Sequence, residues 1–131
     1  MSEKDVDVVR RAWEASDRRD TEALFALYDP AIVWQVHYGP ISGSYLGHDG
    51  VRQFFREWTD ALDTFHVRAE EFIDAGDCVV IDVRVWARGK GSGAEAEMPQ
   101  GQLCRVRNGL LTRIELFETK EQALEAAGLE E

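Results

Sequence analysis

His37 and Glu115 are the side chains of this 131-residue chain best suited to moving a proton. An unperturbed imidazole titrates near ~6.5, within reach of neutral pH. A carboxylate shielded from water is costly unless it is paired. Each residue sits in an alternating segment. In "IVWQVHYGP", residues 32–40, strand periodicity puts Ile32, Trp34, Val36 and Tyr38 on one face and Val33, Gln35 and His37 on the other. In residues 110–117, Leu111, Arg113, Glu115 and Phe117 share one face, and Leu110, Thr112, Ile114 and Leu116 share the other. These polar faces either meet water as solvated stripes or line a cavity. In a cavity, Arg113 or His37 could pair Glu115, and general acid/base chemistry becomes available.

Other chemistries are poorly represented. The excess of 25 Asp and Glu over 15 Lys and Arg gives a net charge of −10, which repels phosphate backbones and anionic lipid heads. Nucleic acid and membrane surfaces are therefore not expected as partners. The N-terminus lacks the basic-then-apolar order of a signal peptide, and no apolar run approaches the ~20 residues of a membrane span, so a cytoplasmic protein is expected. Cys78 and Cys104 show no metal-ligand spacing and read as reduced cysteines packed in strands. The three histidines show no HxH or HExxH pattern, and neither a metal nor another cofactor is expected. The glycine-rich "GKGSG" lacks a strand-to-helix setting and reads as a hairpin loop rather than a phosphate cradle.

The elements that must position these residues follow from periodicity and punctuation. Ser2 and Asp5 resemble a capping box for a first helix to about Asp17, with Val6, Val9, Ala12, Trp13 and Ser16 at helical spacing. Asp20 can cap a second helix that Pro30 ends. After the first strand, "GPISGSYLGHDG" reads as a loop, and His48 or Asp49 can cap a third helix with Val51, Phe54, Phe55, Trp58 and Leu62 on one stripe. Phe54 and Trp58 can floor a pocket, although aromatic residues at helical spacing commonly fill cores. Strands are expected at residues 64–75, 77–89, 94–107 and 110–118, with Asn108-Gly109 forming a tight hairpin turn. Val79, Ile81, Val83 and Val85 mark the core side of the second of these; Asp82, Arg84 and Arg88 read as surface charges. Thr119 and Gln122 form a capping box for a closing helix that Gly128 stops. The order αα-β-α-ββββ-α describes one α+β domain over residues 1–131, its helices on one face of a curved antiparallel sheet.

Taken together, "DTEALFALYDPAIVW", "GHDGVRQFF", "RGKGSG" and "VRNGLLTRIELFETKEQALEAAGL" resemble the SnoaL-like branch of the NTF2-like superfamily over nearly the whole chain. The resemblance implies a cone, a strongly curved sheet wrapped around helices with an internal pocket, and commonly a homodimer built on the sheet's outer face. It does not imply one activity, because the scaffold serves many. Its ketosteroid isomerase relatives use a carboxylate base and an oxyanion hole of a tyrosine and a protonated aspartic acid. Aligned through "LYDPAIVWQ" and "GQLCRV", these positions fall on Gln35, Ala12 and Gln102, none of which retains the functional group. A glutamine cannot abstract a carbon-bound proton, so that chemistry is not expected.

The same alignment implies that Val33, Gln35 and His37 look into the cone with Gln102, Cys104, Arg113, Glu115 and Phe117. Gln35 and Gln102 would then hold a carbonyl or hydroxyl, or simply bond each other or a buried water. His37 and Glu115 would be the acid/base pair. The chain is thus expected to hold a small hydrophobic molecule. It would act on that molecule by acid/base chemistry as a cofactor-independent isomerase, cyclase, hydratase or hydrolase, or serve as a non-catalytic binding or accessory domain.

Overall fold

The computed structural model describes residues 2–128 in the order α1 (Ser2–Asp17), α2 (Thr21–Ala26), β1 (Tyr28–Val36), β2 (Gly43–Leu46), α3 (Gly47–Ala61), β3 (Leu62–Asp74), β4 (Val79–Gly89), β5 (Glu95–Arg107), β6 (Leu110–Phe117) and α4 (Lys120–Ala126). Local chemistry sets many of these boundaries. The Asp20 carboxylate accepts the Ala23 N–H at 3.1 Å and starts α2. Thr119 accepts the Gln122 N–H at 3.2 Å, and the Gln122 side chain accepts the Glu118 N–H at 3.1 Å, so α4 is capped from both directions. Asn108 and Gly109 have φ of 53° and 79°, the two left-handed residues that a two-residue hairpin turn requires. The side chain of Ser2, expected to cap α1, lies outside the described residues.

Three features depart from the expected order. α3 starts at Gly47 after Leu46 with no side-chain cap, so neither His48 nor Asp49 serves that role. Pro30 does not end α2, which stops at Ala26; it lies inside β1, where the register shifts between Tyr28 and Val33. A strand irregularity needs no ladder N–H from proline. Residues 43–46, expected in a loop, form β2 and pair antiparallel to β1, with Tyr45 opposite Trp34. Tyr45 anchors this short strand, its hydroxyl lying 2.7 Å from Glu57 Oε1 and 2.8 Å from the Ile41 carbonyl oxygen.

The six strands form one sheet in the order β2-β1-β6-β5-β4-β3. All neighbours are antiparallel except β1 and β6, so the sheet is mixed rather than purely antiparallel. Val79, Ile81, Val83 and Val85 of β4 are buried, as are Val8, Val9, Ala12 and Ala15 of α1, and they belong to one hydrophobic cluster. Helix α4 covers the opposite face. Gly101 lies between Gln100 and Gln102 in β5 and so points away from them, and a Cβ there would run into the Thr119 and Lys120 backbone. Its missing side chain lets α4 sit directly on the sheet. Among the described residues no helix is long and apolar enough to cross a membrane.

Candidate functional site

The concave face of the sheet and helices α1, α2 and α3 enclose a cavity of about 520 Å³, within the range of small-molecule sites. Strand alternation brings Trp34 of β1, Ile114 and Leu116 of β6 and Ile81 and Val85 of β4 to its wall. Helical spacing adds Phe54, Phe55 and Trp58 from α3. Trp34 is the hub of this aromatic wall, with ring centroids 5.1 Å from Phe54, 5.6 Å from Phe55 and 6.3 Å from Tyr28. The rim is polar and exposed, formed by Ser16, Asp17, Arg19, Asp20 and Thr21 around the α1–α2 turn and by Thr59.

Two glutamines bring polar groups into this apolar lumen. Gln102 Nε2 donates to Gln100 Oε1 at 2.8 Å, and Gln100 Nε2 donates to the Tyr38 hydroxyl oxygen at 2.9 Å. Gln100 is only 5% exposed. Trp34 is 6% exposed, and its indole N–H has no hydrogen-bond partner among the described residues. Burial raises the Tyr28 phenol and pushes the Cys104 thiol up to about 12, so both lining groups are protonated at neutral pH. Carboxylate and imidazole residues enter the lining only as Asp17, Asp20 and His66, all exposed. No group of three or more His, Cys, Asp or Glu among the described residues is placed to hold a metal ion.

Of the residues singled out from sequence, Phe54, Trp58, Gln102 and Cys104 line the cavity, whereas Val33, Gln35, His37, Arg113, Glu115 and Phe117 do not. Their strands present the opposite face to the lumen. Ile32, Trp34 and Val36 are buried in β1 and Ile114 and Leu116 in β6, which turns the intervening residues outward. A one-residue offset in the alignment is enough to invert a strand whose period is two. The position compared with the ketosteroid isomerase base therefore lies outside the cone; Ala12 and Gln102 line it.

On the outer face those residues nevertheless find one another. The parallel register sets Val33 beside Arg113 and Gln35 beside Glu115. His37 Nε2 lies 2.7 Å from Glu115 Oε1, and Arg113 Nε donates to Glu115 Oε2 at 2.9 Å. The His37 ring stacks on Phe117 with centroids 4.5 Å apart. Gln35 bonds neither Gln102 nor a lumen group; its carbonyl oxygen accepts the Ser44 hydroxyl at 2.7 Å. Partial burial pushes the Glu115 carboxyl up, but the hydrogen bonds and charges of His37 and Arg113 outweigh it and leave the group below the usual carboxylate range. The Glu115 side chain is 15% exposed and that of His37 38%. The pair is formed, but across the sheet from the cavity.

Residues 9–114 match the sequence profile of the SnoaL-like domain. The chain belongs to the SnoaL-like domain family. Solved structures of the same fold include an NTF2-like protein from Burkholderia thailandensis, 28% identical with a TM-score of 0.80 over 95% of this chain and 97% of that one. An NTF2-like protein of unknown function from Burkholderia pseudomallei is 23% identical, with a TM-score of 0.79 over 93% and 95% of the two chains. TerC, co-crystallised with polyporic acid, is 22% identical, with a TM-score of 0.78 over 95% and 98%. No curated protein matches the chain. The NTF2-like cone expected from the sequence is thus the fold of this SnoaL-like domain, with its concave face bearing Trp34 rather than Gln35.

Trp34 and Gln100 line the site and Tyr38 bonds Gln100, although none of the three is among the site residues expected from the sequence. Gln100 was within reach of pattern alone, since it shares a strand face with Gln102 and Cys104. Tyr38 shares a face with Trp34 but meets Gln100 only through the folded sheet.

Proposed function

We propose that this SnoaL-like domain is a binding or accessory protein that holds one small, predominantly apolar molecule in its cone. The observation that carries this reading is the aromatic cavity, about 520 Å³ in volume, whose interior offers an acceptor at the Gln102 carbonyl oxygen and a donor at the Trp34 indole N–H but no carboxylate or imidazole. An isomerase, cyclase or hydratase working by acid/base chemistry needs a base beside its substrate. The deep thiol and phenol, Cys104 and Tyr28, are both kept protonated by burial. His37 and Glu115, the residues otherwise fitted for the task, engage each other and Arg113 on the far side of the sheet. The co-crystallisation of TerC with polyporic acid is consistent with small-molecule binding by this fold. A homodimer on the outer face of β1 and β6, around the half-buried Val33 and Phe117, accompanies this reading, and light scattering would register it as a doubled mass.

Three of the four tryptophans, Trp13, Trp34 and Trp58, line the cavity, so occupancy is expected to change intrinsic fluorescence. A ligand at a hundredfold excess over its Kd stabilises the folded state by about 2.7 kcal/mol, enough to raise Tm by several degrees. A panel of bicyclic and tricyclic hydroxy and carbonyl compounds should contain members that do both. Leu116→Trp, which fills the lumen, should abolish both responses. If the panel leaves wild type unmoved, or the filled variant responds equally, the binding reading fails.

A further inference from the structure

We infer that Tyr38, which does not line the cone, sets the hydrogen-bonding sense that the cone presents, so that the preferred ligand donates an O–H or N–H to Gln102. The inference rests on the cone being a binding site and adds the chemistry of what it selects.

A glutamine side chain accepts at its oxygen and donates at its nitrogen, so two glutamines in series form a chain that can run either way. If Tyr38 donated, Gln100 Oε1 would receive its proton, Gln100 Nε2 would donate to Gln102 Oε1, and Gln102 would turn its NH2 group to the lumen. The observed chain runs the other way. Tyr38 accepts from Gln100, Gln100 accepts from Gln102, and the Gln102 carbonyl oxygen is left without a protein hydrogen-bond donor among the described residues. Gln100 is 5% exposed, so water is poorly placed to mend a mismatch in the middle of the chain.

The end of the chain holds this sense in place. A phenol that accepts a hydrogen bond still has its own proton to direct, and the negative charge of Glu118 acts on the Tyr38 hydroxyl. That charge draws the O–H proton toward itself and leaves the oxygen lone pair for Gln100. The cone therefore presents a fixed acceptor at Gln102 and, separately, the unpartnered indole N–H of Trp34. An apolar skeleton carrying both a hydroxyl or N–H and a second, accepting atom matches this pair. Phenols, enols and hydroxyketones fit; ethers and simple ketones leave Gln102 unsatisfied.

Fluorescence titration with 2-naphthol and 2-methoxynaphthalene, which differ in the donor proton, tests this directly. Wild type should bind the naphthol about five- to tenfold more tightly, the discrimination expected of one hydrogen bond. In Tyr38→Phe the chain has neither acceptor nor donor at its end and the two amide senses become similar in energy. The ratio should then fall to about two or below, chiefly because the ether gains the Gln102 N–H and binds more tightly while the naphthol loses about twofold, and circular dichroism stays native. Glu118→Gln, an exposed change that leaves the phenol in place, should give an intermediate ratio. A Tyr38→Phe protein that keeps the wild-type ratio, or a wild type that favours the ether, overturns the inference while leaving the binding site intact. Failure of both compounds to bind wild type would instead overturn the proposed function and this inference with it.

Discussion

The two faces of β1 and β6 use the same residues in alternation and reach opposite results. The outer face collects the reactive-looking side chains, His37, Arg113 and Glu115, and they satisfy one another through contacts of 2.7 and 2.9 Å. The inner face is chemically plain, with Trp34, Ile114 and Leu116, yet it borders the cavity and leaves an indole N–H unused. Residue type marks where chemistry could occur; unfilled space beside an unspent hydrogen bond marks where a ligand could bind. The closed outer network reads as a clasp on the parallel seam between the first and last strands.

Substitutions should separate the faces. The largest expected effect is from Trp34→Ala, which removes the hub of the aromatic wall and should cost about 3–5 kcal/mol in urea unfolding, the range for large aromatic truncations. Gln35→Ala, its half-buried neighbour in β1, removes only the hydrogen bond from Ser44 and should cost about 1 kcal/mol or less. Equal losses at the two positions would erase the distinction between the faces.

Glu115→Gln should cost less, about 1 kcal/mol at pH 7 after allowing for the screening of a partly exposed ion pair, and should leave cone binding unchanged. The pH dependence has a definite sign. The folded-state carboxyl lies below its ordinary value, so its contribution is present above the unfolded carboxylate range and is lost as pH falls through the lower folded value. Wild type and variant should therefore converge in stability on acidification. Divergence toward acid, or loss of ligand binding in the variant, would connect the outer network to the cone.

The smallest effect is expected from Ser44→Ala, which removes the hydroxyl that donates to Gln35 at 2.7 Å on the exposed edge. About 0.5 kcal/mol or less is expected in the same assay.

What was legible in the sequence was mainly local. Asp20 and Thr119 as caps, Asn108-Gly109 as the turn and the Val79 to Val85 alternation each depend on neighbours a few residues away, and each is found as read. Strand β2 was hidden because Gly43 and Ser44 are turn formers, and its existence depends on pairing with β1. The parallel β1–β6 pair is a product of chain topology that no local pattern encodes. For the site, the aromatic stripe of α3 and the face bearing Gln102 and Cys104 were visible. The direction of β1 was not, because both of its faces carry large or hydrogen-bonding side chains and a slip of one residue exchanges them. The apolar alternation of Ile32, Trp34 and Val36 was the better guide to the inside, since burial of those three side chains outweighs any comparison of single polar positions.

The seam between β1 and β6 also governs the order in which this molecule can be assembled. His37 and Glu115 are 78 positions apart, and β1 has no β6 partner until the chain has been extended through residue 117. Closing so long a loop delays the contact relative to the local hairpins. Until then β1 and β5 are both open edges, and the stretch of wall carrying Ile114 and Leu116 does not exist. The cone is consequently all or nothing: a chain cut after Arg107 would keep most of its helices and strands and have no enclosed lumen, and its unpaired edges would favour association with other chains.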